Sequence, residues 1–111
     1  MKLILLGAAG SGKGTLAKQI SADFHIPQIS TGDLFREIVK SGSELGELVK
    51  SYINKGNLVP NEVTFKVLQN RLEKSDCKNG YILDGFPRTL QQAEMLAKLT
   101  EIDVVISLEL G

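Results

Sequence analysis

The run Gly7-Ala8-Ala9-Gly10-Ser11-Gly12-Lys13-Gly14-Thr15 constrains this chain more than any other stretch. Before it stands Lys2-Leu3-Ile4-Leu5-Leu6, an apolar segment of strand length; after it Leu16, Ala17, Ile20 and Phe24 recur at helical spacing, which predicts them on an inward face. Strand, glycine loop and helix in that order can present a row of backbone N–H groups to phosphate oxygens. The helix adds its partial positive amino end and Lys13 adds a full charge. Glycine is required where the backbone turns through positive φ and where a phosphate must approach without meeting a Cβ. Gly10, Ser11, Gly12, Lys13, Gly14 and Thr15 are therefore the candidate phosphate-binding residues. The plainer alternative is a strand-turn-helix with a flexible turn, which leaves the lysine and hydroxyls at those places unexplained. One departure has a chemical consequence. The strict pattern has Ser or Thr directly after the lysine, whereas Gly14 intervenes before Thr15. A magnesium ion here is expected to be held by phosphates and water rather than by a direct hydroxyl ligand.

A chain of 111 residues suits one domain. Thirteen basic residues balance thirteen acidic ones, so no long-range field directs it to nucleic acid or to an anionic membrane. No apolar stretch reaches the ~18 residues of a membrane span, and the first residues read as a strand rather than a signal peptide. Cys77 has no second cysteine to pair with, which suits a reducing, cytoplasmic setting. It is read as a free thiol in a polar turn, and His25, with no second candidate ligand nearby, as a turn histidine.

Strands and helices alternate along the rest. Pro27-Gln28-Ile29-Ser30 is a short extended piece, and Ser30 to Asp33 has capping-box spacing ahead of Leu34, Phe35, Ile38 and Val39. Gly42 stops that helix; Ser43 starts another that runs to Gly56. Pro60-Asn61 opens a third, with Val63, Val67, Leu68 and Leu72 on one face. Asn79-Gly80 is a turn before a second buried strand, Tyr81-Ile82-Leu83, which ends in Asp84-Gly85. A helix over about 90–99 leads to an apolar strand over 104–110. Alternating βα units with apolar strands predict a parallel sheet covered by helices on both faces.

Three further constellations carry chemistry. Asp84 stands where an apolar strand ends, the place of ligand sites in parallel α/β sheets, and a carboxylate beside a phosphate loop can hold magnesium or its waters. Alone it would be an ordinary Asp-Gly turn residue. In Gly85-Phe86-Pro87-Arg88, the glycine admits a ligand to the backbone and Pro87 stiffens the loop, a cis bond being available to it. The planar fork of Arg88 matches two phosphate oxygens, and Gln92 offers a donor and an acceptor to a base edge. The bland alternative is a solvated arginine and a helix-surface glutamine. Thr31, with Gly32-Asp33, opens a helix whose amino end favours an anion, and Arg36 projects from the same region. Lys13, Arg36 and Arg88 would supply three positive charges to a phosphate cluster.

Gly7–Thr15, Ser30-Thr31-Gly32-Asp33, Arg36 and Tyr81-Ile82-Leu83-Asp84-Gly85-Phe86-Pro87-Arg88-Thr89 together resemble the nucleoside monophosphate kinases, and among them the adenylate kinases. The likeness runs over all 111 residues, and Thr31 with Thr89-Leu90-Gln91-Gln92 is similar to AMP-specific members. Ala9 replaces a proline common in the family.

The resemblance implies a three-layer α/β fold of P-loop NTPase type, with four core strands in the order 2-3-1-4. It also implies an inserted AMP-binding helical subdomain at about 30–59 that swings in as substrate binds. Residues Gly10–Thr15 would wrap the ATP phosphates. Thr31, Arg36, the backbone of Asn57, Leu58 and Val59, then Gly85, Phe86, Pro87, Arg88 and Gln92 would hold AMP. The implied reaction moves the γ-phosphoryl of MgATP to AMP and yields two ADP. Lys13 would stabilise the transferring group, Arg88 would anchor the acceptor, and Asp84 would orient a magnesium-bound water, with no metal ligand supplied directly by the protein.

The likeness corresponds to the N-terminal half of the family pattern. A lid with further arginines, a fifth core strand and closing helices are not represented. The expectation is therefore a nucleotide-binding unit with little kinase turnover by itself, the alternative being a phosphate-binding module without catalysis. An uncovered strand over 104–110 would favour self-association.

Overall fold

The computed structural model describes residues 1–8 and 10–108. Ala9 and the end of the expected last strand, positions 109 and 110, lie outside the described residues. The described elements are β1 (Lys2–Gly7), α1 (Lys13–Phe24), β2 (Gln28–Ser30), α2 (Thr31–Lys40), α3 (Glu44–Asn54), α4 (Asn61–Leu72), a 3₁₀ turn at Ser75–Cys77, β3 (Tyr81–Asp84), α5 (Leu90–Leu99) and β4 (Val104–Leu108). The strands form one parallel sheet in the order β2-β3-β1-β4. This is the expected architecture, an α/β fold of P-loop kinase type.

Side-chain alternation along the strands divides the interior in two. On one face Ile4, Ile29, Tyr81 and Leu83 pack against Leu34, Val49, Phe65, Val67, Leu68 and Leu96 of α2 to α5. On the other Leu3, Leu5 and Ile82 pack against Ala17 and Ile26, with Leu16 and Ile20 partly buried beside them. Helices thus cover both faces. Leu34 and Val49 tie the segment expected to form a helical subdomain into the larger core. The close fit of α2 on α3 depends on Gly46, where any Cβ would collide with the Ile38 carbonyl.

Local signals set most boundaries. Ser30, Ser43 and Thr89 each cap a helix, accepting from the N–H of Asp33, Gly46 and Gln92 respectively. Gly42 and Gly56 follow their helices at φ 68° and 73°. His25 caps α1 in the left-handed region, as the turn histidine expected.

Four features differ from the sequence reading. Phe24 is exposed at 51% because α1 ends there, and the left-handed turn at His25 hands the inward position to Ile26. Cys77 is buried rather than set in a polar turn; the 3₁₀ turn points it into the core, where the Arg71 guanidinium donates to its Sγ. The reciprocal half of the capping box at Ser30 does not form, since the Asp33 carboxylate pairs with Arg36 instead. On α4 the buried face is also wider than read, because Thr64 and Phe65 join it.

Candidate functional site

The loop after β1 turns twice through the left-handed region, at Gly10 (φ 87°) and Gly12 (φ 86°). Gly12 is the residue before α1, and no side chain caps that helix. Its first-turn N–H groups are therefore available to an anion, with the helix dipole behind them. Ser11 folds back, its N–H and Oγ both donating to the Ala8 carbonyl at 3.1 and 2.6 Å. Gly7 is needed for closeness: a Cβ there would lie 2.8 Å from Ser11 Oγ and 3.1 Å from the Leu108 carbonyl oxygen.

Sheet order brings the second motif to this loop. Leu5 lies opposite Asp84 in the β1–β3 register, and the Gly85 N–H donates to the Leu5 carbonyl at 2.9 Å. Lys13 Nζ then stands 2.7 Å from Asp84 Oδ1, the two side chains being 20% and 12% exposed. The contact is an ion pair in distance, but it lacks hydrogen-bond alignment, so the buried Oδ1 has no aligned donor. Its twin Oδ2 accepts from Gln28 Nε2 at 2.7 Å.

Gly85 adopts φ 75°, and a Cβ built there would lie 3.2 Å from Arg88 Nη2 and 3.4 Å from Lys13 Nζ. Two cations from motifs some 70 residues apart thus converge on one glycine. Arg88 Nε donates to the Gly85 carbonyl at 2.7 Å, and no carboxylate pairs with the guanidinium among the described residues. The Phe86–Pro87 peptide is cis, and the Phe86 ring packs on Phe65 with centroids 5.3 Å apart. Leu6, Gly7, Ala8, Lys13, Gly85, Pro87 and Arg88 line a cavity of about 680 Å³.

The remaining predicted residues fall elsewhere. Thr31 opens α2. Arg36 pairs with Asp33 in an exposed contact and lines a separate depression of about 430 Å³ with Gly32, Phe35, Val39, Lys40 and Ile53. That pairing, together with the Ser30 hydroxyl, holds the Asp33 carboxyl below its ordinary range. Arg36 is therefore not in the Lys13–Arg88 cavity. Asn57 and Leu58 are exposed, Leu58 at 93%, and the Asn57 N–H donates to the Tyr52 carbonyl. Val59 packs against the larger core. Gln92 is bonded at both ends: Oε1 accepts from the Arg88 N–H at 2.8 Å and Nε2 donates to Asn61 Oδ1 at 3.1 Å.

Two residues at the centre of the site were not singled out from sequence. Phe65 supports the Phe86 ring, and an aromatic at a helix position gives no sign of its partner. Gln28 holds Asp84, and a polar residue in a short strand beside Ser30 gives no sign in the sequence of that distant partner.

A parallel sheet with a glycine loop after its first strand, and a lysine, carboxylate and arginine gathered at the ends of β1 and β3, defines an α/β protein of P-loop kinase type. The family model described as adenylate kinase matches residues 5–111, and the chain belongs to that family. It is 54% identical over 114 residues to adenylate kinase of Caldicellulosiruptor bescii, a match that covers 98% of this chain and 53% of that protein. With adenylate kinase of Alkaliphilus oremlandii the identity is 55% over 109 residues, covering 98% and 50%. With that of Listeria monocytogenes it is 51% over 114 residues, covering 98% and 53%. The chain spans about half the length of the curated relatives it matches.

Proposed function

We propose that this chain carries the phosphate-donor loop and the acceptor site of an enzyme that moves the γ-phosphoryl of MgATP to AMP, giving two ADP. The observation that carries the reading is the convergence of Lys13 Nζ and the Arg88 guanidinium on Gly85, beside a loop with an uncapped helix behind it.

In this reading the amides of Gly10–Thr15 bind the donor phosphates, and Lys13 leaves Asp84 for the phosphoryl oxygens. Arg88 keeps Nε on the Gly85 carbonyl, which aims its outer nitrogens at two acceptor oxygens. An acceptor phosphate oxygen forms the new bond to the γ-phosphorus as the bond to the β–γ bridging oxygen breaks, and ADP is left on each side. The acceptor oxygen is already ionised, so no general base is needed; alignment and charge neutralisation carry the rate.

Magnesium fits the residues present. Lys13, Arg88 and Asp84 leave one net positive charge against a polyphosphate, and Asp84 Oδ1 is a hard oxygen without an aligned donor. No cluster of three metal-ligating side chains exists among the described residues, so phosphates and water would complete the shell, with Asp84 holding one of those waters. The bound ion would neutralise charge on the phosphate oxygens.

AMP would be held by Thr31, Arg36, the backbone of Asn57-Leu58-Val59, Gly85–Arg88 and Gln92. The depression beside Arg36, walled by Phe35, Val39 and Ile53, suits a flat apolar ring. Binding would require the 30–59 segment to bring Arg36 toward Arg88, and Gln92 to exchange Asn61 for the base. ATP, AMP and ADP are the partners this implies. No described helix is long and apolar enough to cross a membrane, and a cytoplasmic site of action is part of the proposal. Exposed Val104 and Val105 on the edge strand β4 support self-association.

Calorimetric titration tests the layout. Lys13→Ala should abolish ATP binding and spare AMP, and Arg88→Ala should do the reverse. Absence of binding of either nucleotide to the parent chain refutes the proposal. A second reading, a binding module without turnover, draws on the half-length match and on the separation of Arg36 from the main cavity. Full turnover by the 111-residue chain in a coupled ADP assay would exclude it.

A further inference from the structure

Gln28 stands on the α1 face of the sheet. Register sets it opposite Ile82, while Ser30 lies opposite Asp84, so Gln28 occupies the row one pleat below the carboxylate. Its neighbours on that face are Leu3, Leu5 and Ile82, packed against Ala17 and Ile26. An apolar β-branched residue would satisfy such a position with less desolvation. The amide instead reaches diagonally to Asp84 Oδ2 at 2.7 Å.

The consequence is a divided carboxylate. A neutral donor fixes Oδ2, and Oδ1 lies against Lys13 Nζ, which itself lines the loop cavity. A cation in place of Gln28 would compete with Lys13 for the charge of Asp84, whereas an amide fixes the rotamer and leaves the full negative charge on the site. Lys13 cannot fix it alone, because its own contact lacks hydrogen-bond alignment and, on the reading above, it departs when phosphate arrives.

We propose that Gln28 is a positioning residue: its amide clamps Asp84 Oδ2 so that Oδ1 stays aimed at a phosphate-bound divalent cation and its waters after Lys13 has moved. The magnesium half of this rests on the function proposed above; the clamp itself does not.

Two measurements on the 111-residue chain separate those halves. In proton–nitrogen NMR without nucleotide, the two Gln28 side-chain amide protons should be widely split and protected from exchange, and Asp84→Ala should collapse the splitting. A pair that exchanges like free glutamine overturns the clamp. In calorimetry, ATP is titrated with magnesium and with chelator. Gln28→Met, the same length without a donor, should cut the affinity gain from magnesium about tenfold and leave magnesium-free ATP affinity within twofold. An undiminished gain in Gln28→Met, with the gain lost in Asp84→Asn, overturns the positioning role. A gain retained in Asp84→Asn overturns the reading of Asp84 instead, and a protected amide then still supports the clamp.

Discussion

Replacing Lys13 by methionine should destabilise the ligand-free protein, and double substitution with Asp84→Asn should restore most of the loss. Methionine keeps the length and removes the ammonium, so Asp84 Oδ1 remains buried with neither charge partner nor aligned donor. Breaking a fully buried pair costs about 3–5 kcal/mol. The two side chains here are 20% and 12% exposed, and Oδ2 keeps its Gln28 bond, which lowers the figure to about 2–3 kcal/mol. For a domain of this size that corresponds to a fall in Tm of roughly 10 °C. In the double variant a neutral amide at 84 still accepts from Gln28 and no charge is buried alone, so at least about half of the loss should return. Thermal unfolding by calorimetry on parent, both single variants and the double variant closes the cycle. A Tm for Lys13→Met within 2 °C of the parent, or strictly additive losses in the double variant, would refute the burial argument for this pair (threshold set at roughly a fifth of the expected shift).

Gly85→Ala combines a left-handed φ of 75° with a Cβ between Arg88 Nη2 and Lys13 Nζ; it should lower stability by about 1–2 kcal/mol in thermal melts and weaken ATP and AMP together in titrations. Arg88→Lys cannot hold the Gly85 carbonyl and grip two oxygens at once, so AMP affinity should fall at least about tenfold, and unchanged affinity would remove Arg88 from the acceptor site. Arg71 grips the Asp76 carboxylate at 2.7 and 2.9 Å and holds its carboxyl below the ordinary range. That stability is present above the unfolded carboxyl pKa of about 4 and is lost as pH falls through the lower folded value, so Asp76→Asn should flatten the acid limb of a Tm-versus-pH curve. Burial pushes the Cys77 thiol up, so its contribution is full below about pH 8.5 and declines above it; Cys77→Ala should remove that alkaline decline.

What could be read from the sequence was what short-range chemistry decides. Ser30 and Ser43 cap helices through bonds three residues ahead, and Gly42 and Gly56 stop them through their own backbone freedom. The turn between β1 and α1 was legible for the same reason, its geometry being written in consecutive residues with glycines at the left-handed positions. Inward and outward faces failed where an element ends, as at Phe24. Cys77 was misread because its neighbours Asp76 and Lys78 are polar while the 3₁₀ turn aims only the thiol inward. Partners distant in sequence were illegible. Gln28 meets Asp84 across 56 positions and Gln92 meets Asn61 across 31, and neither pairing leaves a periodic trace. Arg36 shows the opposite case: its ion-pair partner Asp33 is only three residues away, and that local pair engages it in this conformation.

The site's composition follows from sheet order more than from either motif. In the order β2-β3-β1-β4, the strand that ends in Asp84-Gly85 lies directly beside the strand that feeds the loop, and β2 lies on its other side. The first adjacency gives Asp84 its lysine through the Leu5–Asp84 register; the second gives it Gln28 through the Ser30–Asp84 register. A shift of one residue in the β1–β3 pairing would turn Asp84 to the face of Ile4, Ile29 and Leu83, away from Lys13, and one in the β2–β3 pairing would turn Gln28 away from Asp84. The apolar alternation that fixes the register therefore also fixes the electrostatics. For that reason, an isolated loop peptide of residues 7–15 should bind phosphate far more weakly than the folded chain: it retains Lys13 and the glycines but lacks the neighbouring strand that sets the ammonium beside Gly85.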